Sequence, residues 1–201
     1  LREVYASIPA VSSSVLKCAA ASEYSKNKEI KDVLVRDDGD VYVLLDDSRL
    51  LSCTNGESIL DNSGLPSTAA SMISAIGSIG HNEYAIVSGI DGKLYVGSPS
   101  TGKWRSVSRP ISGDYKGCTS IHQTSINGDI VLMLPQEGLI HVFNSRGLFI
   151  GAQSIPVGYV SGCGDQLIGY SPRSARLSLA KGIQISQGGS STSSAAAAAQ
   201  A

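Results

Sequence analysis

Gly56, Gly102 and Gly147 follow one another at intervals of 46 and 45 residues, and Gly182 comes 35 residues later. In the same register an acidic residue opens the second apolar run of each interval: Asp40, Glu83, Asp129 and Asp165. Two markers of different chemistry keep one spacing, so the chain repeats a unit, and its last copy is shortened. A repeat at this interval restricts the fold to an array of similar small sheets or hairpins. The plainest copy is Asn127 to Gln153, NGDIVLMLPQEGLIHVFNSRGLFIGAQ, where turns at Gly128, Gly138 and Gly147 separate three short apolar runs. Runs this short, bounded by Asn, Asp, Ser and Gly, predict antiparallel strands rather than helices.

The same order of events can be followed along the chain. Residues 29–70 read DVLVR, VYVLL, RLLSC and a weak ESIL, separated by the turns DDGD, DDSR and TNGE, with a loop from Asp61 to Ala70. Residues 71–117 read MISAIGSI, YAIVSGI, KLYVGSP and WRSVSR, and residues 118–157 read CTSIHQTSI, IVLMLP, LIHVF and LFIGAQ. A compressed copy, YVSGC, QLIGYS, RLSLA and IQIS, occupies residues 158–186. Residues 1–28 are expected to form an N-terminal strand pair and linker, with candidate strands Val4 to Ile8 and Ser14 to Ala20 before a polar link. The alanine content leaves a helix from Ser12 to Ser25 as the alternative, which Ser13, Ser14 and the β-branched Val15 weaken. Residues 187–201 are low in complexity and too poor in large apolar side chains to offset the entropy of ordering, so a flexible tail is expected.

Four short antiparallel strands per unit, repeated about four times, resemble the blades of a β-propeller. The third unit is similar to NHL and WD40-like repeats, in which Gly-Asp precedes a strand and a later strand ends in an Asn-x-x-Gly turn; here these are Gly128-Asp129 and HVFNSRG, His141 to Gly147. The resemblance lies in blade layout across about 160 residues and in no specific family: the Trp-Asp dipeptide of WD40 repeats and the GQLG element of chromatin-condensation regulators are both absent. SPSTGKW, Ser98 to Trp104, is similar to the Asp box of sialidase propellers but carries Ser100 in place of the aspartate and is one residue short. The resemblance implies an all-β fold, a propeller or partial propeller of about four four-stranded antiparallel blades, either closed into a small ring or belonging to a larger one. Blades packed face to face would bury both sides of each sheet, which accounts for near-continuous apolar runs such as IVLMLP.

Composition narrows the function classes. Sixteen Lys and Arg against 17 Asp and Glu give a net charge of −1, so no overall field draws the chain to nucleic acid or to an anionic surface. No apolar run is long enough for a membrane-spanning helix. Cys18, Cys53, Cys118 and Cys163 contain no CxxC pair, which argues against a zinc ribbon or a dithiol redox site. With no glycosylation sequon and a chain long enough to fold without staples, reduced thiols and an intracellular or organellar setting are expected.

Candidate chemistry is sparse. Asp40, Glu83, Asp129 and Asp165 would fall on one face of a propeller, near its axis, where four carboxylates could hold a hard cation; the competing reading is that an acid beside Gly or Asn stabilises the turn before each second strand. His81, His122 and His141 occupy different places in their units and do not converge on a metal by spacing. GxSxG and phosphate-cradling loops are missing, and GIDGKLYVG, Gly89 to Gly97, lacks the dinucleotide-binding spacing, so no catalytic residue and no cofactor is assigned. Trp104, Arg105, Arg109, Tyr115 and Lys116 form the one local cluster that is both basic and aromatic, a composition favoured at protein contacts. The expected function is a non-catalytic protein-protein interaction scaffold, an accessory subunit whose partners are other protein chains. The alternative is a propeller enzyme or lyase that uses the acidic quartet and a bound cation. A carbohydrate-binding propeller would want more aromatics than 5% of the residues.

Overall fold

A computed structural model describes residues 28–36, 38–80, 82–110, 113–123 and 128–154 with their side chains, and the backbone of 159–163, 166–171 and 176–181. The predicted strands Val4 to Ile8 and Ser14 to Ala20, the alternative helix from Ser12 to Ser25, the IQIS run and the tail from 187 to 201 lie outside the described residues.

Four antiparallel sheets follow one another along the chain. The first contains β1 (Ile30–Val35), β2 (Val41–Leu45) and β3 (Leu50–Ser52); the second contains β4 (Ile73–Ser78), β5 (Tyr84–Ser88), β6 (Leu94–Ser98) and β7 (Lys103–Val107). The third contains β8 (Ser120–Gln123), β9 (Ile130–Leu134), β10 (Leu139–Phe143) and β11 (Phe149–Ser154), and the fourth contains β12 (Tyr159–Cys163), β13 (Gln166–Ser171) and β14 (Arg176–Lys181). Within each sheet the strands pair in sequence order, as meanders. Their turns carry the repeat's glycines in the left-handed region, Gly56 at φ 75°, Gly102 at 64° and Gly147 at 72°, where a β-carbon would be strained.

The sheets stack through their faces in chain order. In β5 and β6, Tyr84, Ile86 and Tyr95 pack with Tyr42, Leu44 and Leu50 of the first sheet, whereas Ala85, Val87, Leu94 and Val96 pack with Ile130, Leu132, Leu134 and Phe143 of the third. All five residues of β5 are buried. The two-residue alternation of a strand therefore divides one apolar run between two cores. First strands also meet: β1 contacts β4, β4 contacts β8 and β8 contacts β12, so the first strand of every sheet is the inner one. Three meanders stacked face to face, with the first strand of a fourth beside β8, are the arrangement of a β-propeller. Among the described strands no comparable contact returns from β12 to β1.

Three expectations need correction. The loop Asp61 to Ala70 contains one helical turn, α1 (Ser67–Ala70), closed by the Pro66 carbonyl accepting from the amides of Ala69 and Ala70, and its anchor is the fully buried Ala69. The weak ESIL strand reduces to a single bridge, Leu51 with Ser58, so the first sheet has three strands; the fourth also has three among the described residues. Finally, Cys53, at the end of β3 and 7% exposed, is disulfide-bonded, so the thiols are not all reduced; Cys118 is a buried free thiol that burial pushes up to about 12.

Gly77 sets the approach of two inner strands. A β-carbon on this β4 residue would lie 2.9 Å from the β-carbon of Ile121 on β8 and equally near its carbonyl oxygen. Backbone cannot yield as a flexible side chain can, so Gly77→Ala should destabilise the fold by about 1–3 kcal/mol, the usual cost of overpacking. Urea unfolding of the two proteins would show this as a lower midpoint at unchanged slope.

Candidate interaction surface

The basic and aromatic cluster lies where the second sheet meets both neighbours, and the structure divides it. Trp104, on β7, turns toward the first sheet: its ring packs against the core shared with that sheet, and its indole Nε1 donates to the carbonyl of Ser63 at 2.7 Å. The next residue points the other way by strand alternation. Arg105 lies over Gly147, in the β10–β11 turn of the third sheet, so closely that a β-carbon there would be 2.9 Å from its Nη2. Gly147 is thus favoured by its positive φ, and it lies directly beneath the Arg105 guanidinium.

Arg109 and Tyr115 belong to the connection between β7 and β8, which is fastened across the seam between the second and third sheets. Arg109 donates from Nη1 to Glu137 Oε1 at 2.7 Å and from Nη2 to Glu137 Oε2 at 2.5 Å, and Nη1 also reaches the carbonyl of Asp114 at 3.1 Å. This paired fork is the strongest geometry open to an arginine and a carboxylate. It raises the guanidinium above its ordinary range and lowers the Glu137 carboxyl. The Arg109 guanidinium also stands 5.8 Å from the ring centre of Tyr115.

Tyr115 is fully buried and cannot be the surface contact that its composition suggested. Its amide donates to the Gly92 carbonyl at 2.8 Å in the β5–β6 turn, while its hydroxyl meets His141 Nδ1 at 3.2 Å on β10. His141, Phe143 and Phe149 complete an aromatic group around it. His141 is itself wholly buried, and its Nε2 has no hydrogen-bond partner. Burial lowers the His141 pKa, with the Arg109 charge acting in the same direction and the Glu137 carboxylate opposing it. Lys116 remains exposed and pairs with Asp114 at 3.4 Å. Glu137, His141 and Ser63 were not assigned to the cluster from sequence because each is distant along the chain from the residue it holds.

The acidic markers are spread over separate sheets. Asp40 immediately precedes β2 and accepts from the Tyr42 hydroxyl at 3.5 Å; Glu83 immediately precedes β5, and its carbonyl accepts the Ile79 amide across the turn at 3.0 Å. Asp129 immediately precedes β9, whereas Asp165 lies outside the described residues. Among the described residues, no group of three or more His, Cys, Asp or Glu side chains is arranged to hold a metal ion. His122 is on β8 and His81 lies outside the described residues.

Comparison with known protein families finds no match, and comparison with curated proteins finds none. Among solved structures the chain is similar to a streptogramin B lyase, at 15% identity and TM-score 0.46 over 73% of this chain and 52% of that one. It is also similar to Hsv2 of Kluyvelomyces marxianus, at 13% identity and TM-score 0.47 over 72% and 45% of the two chains. A third is the β-propeller domain of Cps50 (Swd1) of Myceliophteria thermophila, at 9% identity and TM-score 0.48 over 71% and 50%. The chain spans about half the length of these structures. A lyase and a β-propeller domain of another protein stand side by side at comparable likeness, so these similarities assign no activity.

The seam makes two predictions. A histidine held neutral in the fold stabilises it fully above the ordinary imidazole value of 6.5, and that contribution is lost as pH falls below 6.5 toward the depressed folded value. Stability measured by urea titration should therefore decline from pH 7 to pH 5, and His141→Phe should flatten this slope. In a double-mutant cycle, Arg109→Ala and Glu137→Ala should show a coupling of about 1 kcal/mol, held near the surface-pair range because Glu137 is 38% exposed.

Proposed function

We propose that this protein is a non-catalytic protein-protein interaction scaffold, an accessory subunit that presents propeller faces to other chains. The observation that carries this reading is the exposed β1 margin of the first sheet, beside a face on which Val43, Leu45 and Leu51 of β2 and β3 are buried. Val33 and Val35 of β1 are 53% and 63% exposed, although they stand opposite Val43 and Val41 of β2 on one sheet face. At both described seams the equivalent faces are covered by a neighbouring sheet. Large aliphatic side chains left on a sheet face favour contact with another polypeptide.

The seam residues fit the same reading, because Arg109 with Glu137 and Tyr115 with His141 pair with one another across the seam instead of meeting at a catalytic centre. The propeller enzyme or lyase with a cation on Asp40, Glu83, Asp129 and Asp165 is the competing function. Thermal unfolding with added calcium or magnesium distinguishes them. The scaffold reading expects the same midpoint with and without metal, in the wild type and in an Asp129→Ala, Asp165→Ala double variant. A metal-dependent rise that the double variant abolishes would overturn it.

A further inference from the structure

We propose that Lys103, Arg105 and Arg146, with Leu148, form a docking surface for an acidic peptide segment of a partner protein, on the outer side of the seam between the second and third sheets. The inference rests on the scaffold reading and gives it a location and a partner chemistry. Lys103 and Arg105 are two apart on β7, and so lie on the same side of the strand, the side on which Arg105 reaches the third sheet. Arg146 neighbours Gly147, the residue on which the Arg105 guanidinium rests, so cations from two sheets are brought to one seam. In the sequence they are 41 residues apart.

Charge sets the partner's chemistry. Lys103, Arg105 and Arg146 are exposed, and no described ion pair or side-chain hydrogen bond engages their cationic groups. The neighbouring cations Arg109 and Lys116 are both paired, with Glu137 and Asp114. Local sequence supplies no counter-charge: Ser98 to Gly113 and Leu139 to Gly164 contain neither Asp nor Glu. A protein with a net charge of −1 thus concentrates unpaired positive charge at this place.

Geometry favours an extended chain. Among the described residues β7 is an outer strand that pairs with β6 alone, and its open edge runs beside the cations. Such an edge can take an added strand through main-chain hydrogen bonds while side chains supply selectivity. Leu148 is 60% exposed immediately after Gly147 and offers one apolar contact beside the charges. The β10–β11 turn that presents it is fixed by Asn144, whose Oδ1 accepts from the amides of Arg146 at 3.0 Å and Leu148 at 2.9 Å. The surface is therefore held in shape before any partner arrives.

Fluorescence anisotropy of the full chain with a labelled Glu- and Leu-containing peptide provides the test, with a peptide of the same length carrying Gln for Glu as the control. The acidic peptide should bind and the Gln peptide should not. Arg105→Glu combined with Arg146→Glu should weaken binding at least about tenfold, a difference of ~1.4 kcal/mol, with an unchanged far-ultraviolet circular dichroism spectrum. Lys116→Glu should leave binding unchanged. Should the double reversal lower stability, Arg105→Gln with Arg146→Gln provides the folded comparison and should still weaken binding. Equal binding of both peptides, or of the acidic peptide by wild type and double variant, would overturn the inference. So would stronger binding to phosphatidylcholine vesicles containing phosphatidylserine than to the peptide. Loss of the peptide result alone, with the metal response of the acidic quartet absent, removes this site and leaves the scaffold reading intact; a metal response abolished by the Asp129 and Asp165 substitutions removes that reading itself.

Discussion

Everything in the described part of this molecule depends on sheets that must hide both of their faces. β5 is the clearest case, with five consecutive buried residues divided between two cores. A lone four-stranded meander cannot cover itself, so each sheet becomes stable only when a neighbour lies on either side. Stacking dictates the rest: inner strands align, and the connections must travel from one sheet to the next. The same requirement turns exposed aliphatic side chains, as at Val33 and Val35 on β1, into a feature that calls for an explanation.

Connections do more than join sheets. The segment after α1 enters β4 beneath the first sheet, with the Ile73 amide held by the Ser48 hydroxyl at 2.8 Å. Residues between β7 and β8 supply Tyr115 to the middle of the next seam and Arg109 to its margin. Polar groups there meet in pairs whose members come from different sheets, which is the arrangement that low-dielectric surroundings reward. Most of the chemistry-bearing side chains near Trp104 are consumed in this way. Those that are not, Lys103, Arg105 and Arg146, stand out because the neighbouring cations Arg109 and Lys116 are ion-paired.

Much of the fold could be read from the sequence because its markers are local. An acidic residue before a second strand and a glycine after a third need only a few neighbours to do their work, and Gly56, Gly102 and Gly147 adopt the backbone conformation that their turns require. Pairing across seams is another matter. Tyr115 sits in a polar stretch, ISGDYKG, and its burial follows from a histidine 26 residues away that no periodicity links to it. The cluster read from Trp104 to Lys116 mixed residues that strand alternation sends to opposite sides, and it missed Arg146 because proximity through Gly147 has no trace in spacing. The single turn of α1 was hidden for a related reason: four residues carry no helical period, and only the burial of Ala69 distinguishes them from loop.

The two described seams differ in a way that bears on how the molecule would respond to a pulling force. Between the first and second sheets, Trp104 offers one side-chain hydrogen bond, to Ser63, with the Ser48 hydroxyl and Lys31, which donates to the Ile73 carbonyl, acting at the inner strands. Between the second and third, a single connecting segment is bonded to both sides: to Gly92 by its backbone, to His141 by Tyr115 and to Glu137 through the Arg109 fork. Load carried along the backbone from β7 to β8 would meet these bonds together, in shear, before it reached the apolar faces beneath. This segment is thus a strap, and of the two described seams the one it crosses would be the later to part.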